Sequence, residues 1–304
     1  MSATRGPVRT ILFVSLSCVG DAVMTTPVLE SLHQRFPEAV IDIVSDQRSA
    51  ILYTHCPYLG KVLLKEKKKF LRGAPALLAE TRKTVYDLIV DLRTDGLAYL
   101  CRGRRRFTKW NRKAYGPHAV EQLMGVIHAV HGNQTIPPTR VWLSEAETRF
   151  AQTELACLPA GRWLAFAPAV TFASKAWPVE NYYRLANSLA DLFSGVILDG
   201  SPREREITDA VARGLKLPYV NLAGSTSLLQ AAAVLARVRL FVGSDSGLGH
   251  VASAVSTPTL TLFSNDTPTR VLPWGNRANY VCAVDGNAGS IRVDDVEKKV
   301  RGFF

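Results

Sequence analysis

Acidic residues are in short supply: 26 Asp and Glu stand against 37 Lys and Arg in 304 residues, for a formal charge of +11. That balance points to an anionic partner, whether nucleic acid, an anionic membrane surface or a phosphorylated substrate. Cysteine is sparse too. The five thiols, at 18, 56, 101, 157 and 282, form no CxxC pair and no cluster with His. This excludes a disulfide framework and a zinc site and reads as reduced thiols. No apolar run is long enough to span a bilayer, and there are no repeats or low-complexity tracts. The first apolar run, ILFVSLSCV, follows basic residues as a signal peptide would, but it meets Gly20-Asp21 without a small-x-small cleavage site. It therefore reads as a buried strand, and the expected compartment is the cytoplasm.

What is present is globular, with 47% hydrophobic and 21% charged residues, and long enough for two domains. Thr10 to Leu16 reads as the first strand, Ala22 to Arg35 as a helix and Val40 to Val44 as the next strand. After a basic run, KVLLKEKKK, a helix from Pro75 to Thr84 leads to a buried strand, Tyr86 to Leu92. Cys101 to Lys113, CRGRRRFTKWNRK, holds seven Lys or Arg with Phe107 and Trp110 between them, and reads as a solvated surface loop. Aromatics interleaved with Arg also suit nucleic acid. Ile136-Pro137-Pro138 through Ala160-Gly161 looks like a boundary, with a short strand, Val141 to Leu143, and a helix, Ser144 to Cys157. The expected domains are 1–158 and 159–304.

The second domain repeats the alternation. Strands are expected at Trp163 to Ala167, Gly195 to Leu198, Tyr219 to Leu222, Leu240 to Val242 and Thr259 to Phe263. Helices fall between them at Val179 to Phe193, Arg203 to Leu215 and Thr226 to Ala236, and a closing helix at about 293–304 is a candidate to pack back on the first domain. Strands alternating with helices give an α/β chain with two doubly wound parallel sheets. Ligands of such proteins bind at the carboxyl ends of the strands, in a cleft.

Four features fall at such ends. Asp21 opens a helix, where it is either an acid favoured by the helix dipole or a base able to take a proton from a sugar hydroxyl. Lys175, in the loop TFASKAWP with Thr171, is either solvated or a point charge for phosphate. Glu204, in GSPRE, either caps the next helix or accepts from a ribose diol. Last is the turn Gly243-Ser244-Asp245-Ser246-Gly247, followed by Leu248 and His250. Its small residues and helix start suit a phosphate, and a bland strand-helix-strand connection explains the same pattern.

GDAVMTTPVLESLHQRFPEAVIDIV, SKAWPVENYYRLANSL, LDGSPREREI and GSDSGLGHVASAVSTPTLTLFSND, in this order over nearly the whole chain, resemble successive blocks of the family 9 glycosyltransferases, the lipopolysaccharide heptosyltransferases. The resemblance implies a GT-B fold of two Rossmann-like domains: an acceptor-binding N-terminal one and a nucleotide-sugar-binding C-terminal one. It implies inverting transfer of a heptose from ADP-heptose to the phosphorylated lipid A inner core, with no obligatory cofactor or metal. It makes Asp21 the general base and gives Thr171, Lys175, Glu204, Asp245, Ser246, Gly247, Leu248 and His250 to the donor. The basic residues Lys67, Lys68, Lys69, Arg102, Arg104, Arg105, Arg106 and Lys109 then become candidates for the acceptor or for peripheral contact with the anionic inner membrane. Two departures stand out. The family commonly carries Arg at the end of the first strand, where this chain has Val14-Ser15-Leu16, and Thr is usual where this chain has Ser246.

Two other classes compete with the transferase. A sugar-nucleotide epimerase shares the architecture but needs further acid and base groups. A nucleic-acid-binding module accounts for the charge and for CRGRRRFTKW but leaves the phosphate turn idle.

Overall fold

The structure, a computed structural model, describes residues 7–65, 74–93, 96–113, 115–264 and 268–304. The chain divides into two compact units, Met1–Trp142 and Leu143–Phe304. The division falls ahead of the expected 158/159 boundary for a physical reason. The helix Glu145–Leu155, capped by Ser144 and Glu147, turns Ala151 and Leu155 inward and packs on the helix Leu228–Leu235 of the second unit. Residues 141–143, expected as a strand, pair with neither sheet.

The first unit is a parallel sheet of β1 (Thr10–Val14), β2 (Val40–Ser45), β3 (Leu59–Leu64), β4 (Tyr86–Asp91) and β5 (Gly103–Thr108), in the order β3-β2-β1-β4-β5. β1 sits at the centre with Ile11 to Val14 fully buried, which is why it reads as a continuous apolar run. The helix Val19–Arg35 follows it and contains Pro27. Proline has no N–H for the carbonyl of Val23, and the Thr26 hydroxyl supplies one at 2.7 Å. Thr26 Oγ1 in turn accepts from the Arg140 N–H at 2.9 Å. β5 corrects the reading of CRGRRRFTK as a loop. It pairs with β4 from Tyr86/Gly103 to Asp91/Thr108, and as an edge strand it can leave arginines in solvent while its backbone joins the ladder.

The second unit is a parallel sheet of β6 (Trp163–Ala167), β7 (Gly195–Leu198), β8 (Tyr219–Asn221), β9 (Leu240–Ser244), β10 (Thr259–Phe263) and β11 (Ala278–Cys282). The order is β8-β7-β6-β9-β10-β11, or 3-2-1-4-5-6 counted within the unit, the order of dinucleotide-binding Rossmann sheets. The strand order reverses between β6 and β9. Phe166, Trp177 and Tyr182 make edge-to-face contacts in the core beside this point. The closing helix, Val293–Arg301, considered above as one that packs back on the first domain, buries Val296 and Val300 in this same core. Its Arg301 forks onto Asp191 at 2.8 and 3.2 Å. Among the described residues no helix is long and apolar enough to cross a membrane.

Candidate functional site

In an open parallel sheet, the turns after the two strands at the reversal splay apart and leave room for a ligand. In the second unit these are the turns after β6 and β9. The first runs from Pro168 to Pro178 and tightens into a single turn at Ala173–Lys175. The second is Asp245-Ser246, leading into the helix Gly247–Ala254. The Ser244 hydroxyl donates to the Lys175 carbonyl at 2.7 Å, pinning one turn to the other. Lys175 Nζ then donates to Asp245 Oδ2 at 2.8 Å, with about a fifth of each side chain exposed. Two candidates from separate turns are thereby brought together.

Ser246 is the residue from which the helix Gly247–Ala254 starts, and its hydroxyl is buried with no hydrogen-bond partner among the described residues. His250 is buried in the first turns of this helix, while Gly247 and Leu248 are half-buried at its mouth. The open N–H groups of the helix, the Ser246 hydroxyl and the Lys175 ammonium form a set suited to a diphosphate. Thr171 lies exposed on the same loop as Lys175.

Glu204 is found in the capping role. Its Oε2 accepts the Ser201 N–H at 2.5 Å, and it closes the turn Pro202–Glu204 that precedes the helix Arg205–Gly214. Beside it lies a carboxylate absent from the candidates above. Asp199 directly follows β7, is 3% exposed, and accepts through Oδ1 from the Gly200 N–H at 2.8 Å and the Thr226 hydroxyl at 3.1 Å. Its Oδ2 is buried without a partner among the described residues. Burial pushes the Asp199 carboxyl up to about 6 against the pull of those two donors, and the nearby Glu204 charge adds to the rise. The only sequence signal was an acid directly after a fully apolar strand.

In the first unit, Asp21 is exposed in the first turn of the helix that follows β1. Arg93, also absent from the candidates, comes from the turn after β4 and donates through Nη1 to Ser17 Oγ, four residues before Asp21. Its own N–H is held by Asp91 Oδ1 at 2.9 Å. Ser15, at the position where the family's arginine is missing, bonds to the Tyr53 hydroxyl at 2.6 Å in a buried cluster with Thr25. A guanidinium therefore reaches the end of β1 from the neighbouring strand.

The basic candidates separate. Arg102 and Arg104 are exposed, and Arg104 pairs with Asp87 at 3.1 Å. Arg105 lies over the Phe107 ring, and Lys109 is half-buried. Arg106, expected as an acceptor contact, is engaged within its own unit. Its guanidinium turns inward onto the carbonyls of Ala98, Cys101 and Gly103 at 2.8 to 2.9 Å, strapping the short helix Leu97–Leu100 to β5. Lys67, Lys68 and Lys69 lie outside the described residues.

Residues 96–301 match the family model of glycosyltransferase family 9 (heptosyltransferase). The chain is 24% identical over 306 residues to the lipopolysaccharide core heptosyltransferase OpsX of Haemophilus influenzae, covering 94% of this chain and 87% of that protein. Among solved structures it resembles the family 9 glycosyl transferase of Veillonella parvula, with a TM-score of 0.87, 19% identity and 99% of each chain covered. It also resembles the E. coli heptosyltransferase WaaC with ADP, with a TM-score of 0.78, 23% identity, and 97% of this chain and 100% of that one covered.

Proposed function

The chain belongs to glycosyltransferase family 9 and is a glycosyltransferase of GT-B fold; from this premise we propose that its donor is ADP-heptose and its acceptor a hydroxyl of the phosphorylated lipid A inner core. The observation that carries the donor half is the Lys175–Asp245 pair at the strand reversal, next to the Ser246 helix start. Relatives support the choice of nucleotide, since the WaaC structure was solved with ADP.

In this reading the acceptor oxygen attacks the anomeric carbon as the bond to the diphosphate breaks. The leaving ADP carries away the bonding electron pair, and the configuration inverts. Asp21 takes the hydroxyl proton, a role supported by its exposure at the helix start. Lys175 and the N–H groups at the start of helix Gly247–Ala254 stabilise the charge that develops on the diphosphate. Glu204 meets the ribose by exchanging its bond to the Ser201 N–H for the sugar hydroxyls. The acceptor is presented at the cytoplasmic face of an anionic membrane, consistent with the charge of +11.

Calorimetric titration with ADP, UDP and GDP tests the donor, and turnover of ADP-heptose with a lipid A core acceptor, followed by mass spectrometry, tests the transfer. Preference for ADP with gain of one heptose on the acceptor is the expected result. Tighter binding of UDP or GDP would overturn the donor assignment.

A further inference from the structure

The residues that flank β5 make a surface that neither donor binding nor catalysis uses. Trp110 is 79% exposed, Tyr99 55% and Leu100 54%. Of the five tryptophans in the chain, Trp110 is the exposed one. Large side chains of this kind are ordinarily buried, and an exposed group of them marks an interaction site.

The helix end that carries Tyr99 and Leu100 adjoins the turn that carries Trp110. Tyr99 and Leu100 end the short helix before β5, and Trp110 lies in the turn Lys109–Asn111 directly after it. The Tyr99 hydroxyl is 3.4 Å from Thr108 Oγ1, which is itself 3.4 Å from Asn111 Oδ1, so the helix end and the turn stand side by side. Arg106 fixes the arrangement through its three carbonyl contacts. The surroundings are basic: Lys109, Arg112 and Lys113 flank Trp110, and no Asp or Glu occurs from residue 96 to residue 120.

We propose that Tyr99, Leu100 and Trp110, ringed by Lys109, Arg112 and Lys113, form a docking surface for an anionic lipid bilayer. Tryptophan and tyrosine favour the boundary between headgroups and acyl chains, and lysine and arginine near that boundary are held by anionic headgroups. Charge complementarity selects this occupant. A second copy of the chain would bring another +11 to the same surface. Leu100 offers nothing to nucleic acid, where stacking and phosphate contacts carry the affinity. The inference rests on the proposed function only in that the acceptor is lipid-borne.

The test uses the full chain without donor or acceptor, so its result is independent of the transferase reading. Vesicles of phosphatidylethanolamine with and without phosphatidylglycerol are mixed with the protein, and binding is read by co-sedimentation and tryptophan emission. The expected result is binding that requires phosphatidylglycerol, with a blue shift in emission that Trp110→Ala abolishes. The combined Tyr99→Ala, Leu100→Ala, Trp110→Ala variant should bind about tenfold more weakly. In the wild-type protein, lipids brominated near the headgroup should quench the emission, a readout that needs no variant. No vesicle binding, binding unchanged in the triple variant, or absence of quenching would each overturn the proposal. So would a preference for single-stranded oligonucleotide over anionic vesicles, which would assign the surface to nucleic acid. Absence of ADP binding in calorimetry would overturn the donor assignment and leave the vesicle result standing.

Discussion

The ammonium of Lys175 lies 2.8 Å from Oδ2 of Asp245, 70 residues away in sequence, at the point where the strand order of the second sheet reverses. A bound diphosphate would compete with Asp245 for that ammonium. Lys175→Ala removes the attraction and leaves the Asp245 carboxylate facing the phosphates. ADP affinity should fall by about ten- to a hundredfold, the range for losing a charged hydrogen bond. The Lys175→Ala, Asp245→Asn double variant should recover part of the loss. Calorimetry on both variants checks this, and a double variant weaker than the single one would refute the competition.

The proposed mechanism gives Asp21 proton transfer and no part in donor binding. Asp21→Asn should lower turnover by about a hundredfold to ten-thousandfold while ADP titrates as in the wild type. Equal loss of ADP affinity would move Asp21 to the donor site.

Arg93 reaches Ser17 at the end of β1 and supplies a guanidinium where the first strand has none. Arg93→Ala should raise the KM for a phosphorylated acceptor by about tenfold, the order of one charge-assisted contact, with the dissociation constant of ADP unmoved. Steady-state kinetics with the acceptor varied separates the two effects.

Asp199 makes stability depend on pH with a definite sign. Its carboxyl rises from 3.8 in the unfolded chain to about 6 in the folded one, chiefly through burial. The neutral acid is therefore the form the fold prefers. Its contribution is fully present below 3.8 and is lost as pH rises through about 6, a change of about 3 kcal/mol. Asp199→Asn should flatten that part of the profile, read by denaturant unfolding at several pH values. A slope as steep in the variant as in the wild type would remove Asp199 as its source.

Thr26 serves the carbonyl that Pro27 leaves without an N–H and also accepts from the Arg140 backbone. Thr26→Ala strands both groups in a buried setting and should cost about 1–3 kcal/mol. Thr26→Ser, which keeps the hydroxyl, should cost much less. Equilibrium unfolding of the two variants measures the difference.

The buried strands were legible because a strand covered on both faces leaves a continuous apolar run. β6, β7 and β10 have the bounds that their sequences suggest. The edges were not. β5 carries three consecutive arginines and reads as solvent-exposed loop, and β3 and β11 were missed because LGKVLL buries only Leu63 and ANYVC buries no residue fully. Lys175 and Asp245 could each be picked out as candidates, but their contact depends on β6 and β9 being neighbours, which no local pattern encodes. Asp199 and Arg93 were passed over for a related reason. An acid at a strand end and an arginine in a turn both look solvated until the packing around them is known.

The position of β5 at the rim of its sheet has a bearing on the solubility of the chain. A rim strand offers unpaired backbone groups to any other extended segment, and strand addition of that kind seeds aggregation. Arg104 and Arg105 put positive charge beside the middle of the exposed ladder, while Arg106 turns inward, so an incoming copy of β5 would meet like charge there. Replacing Arg104 and Arg105 with neutral residues, Arg106 kept, should yield a protein that precipitates on concentration, whatever ligand or membrane is present.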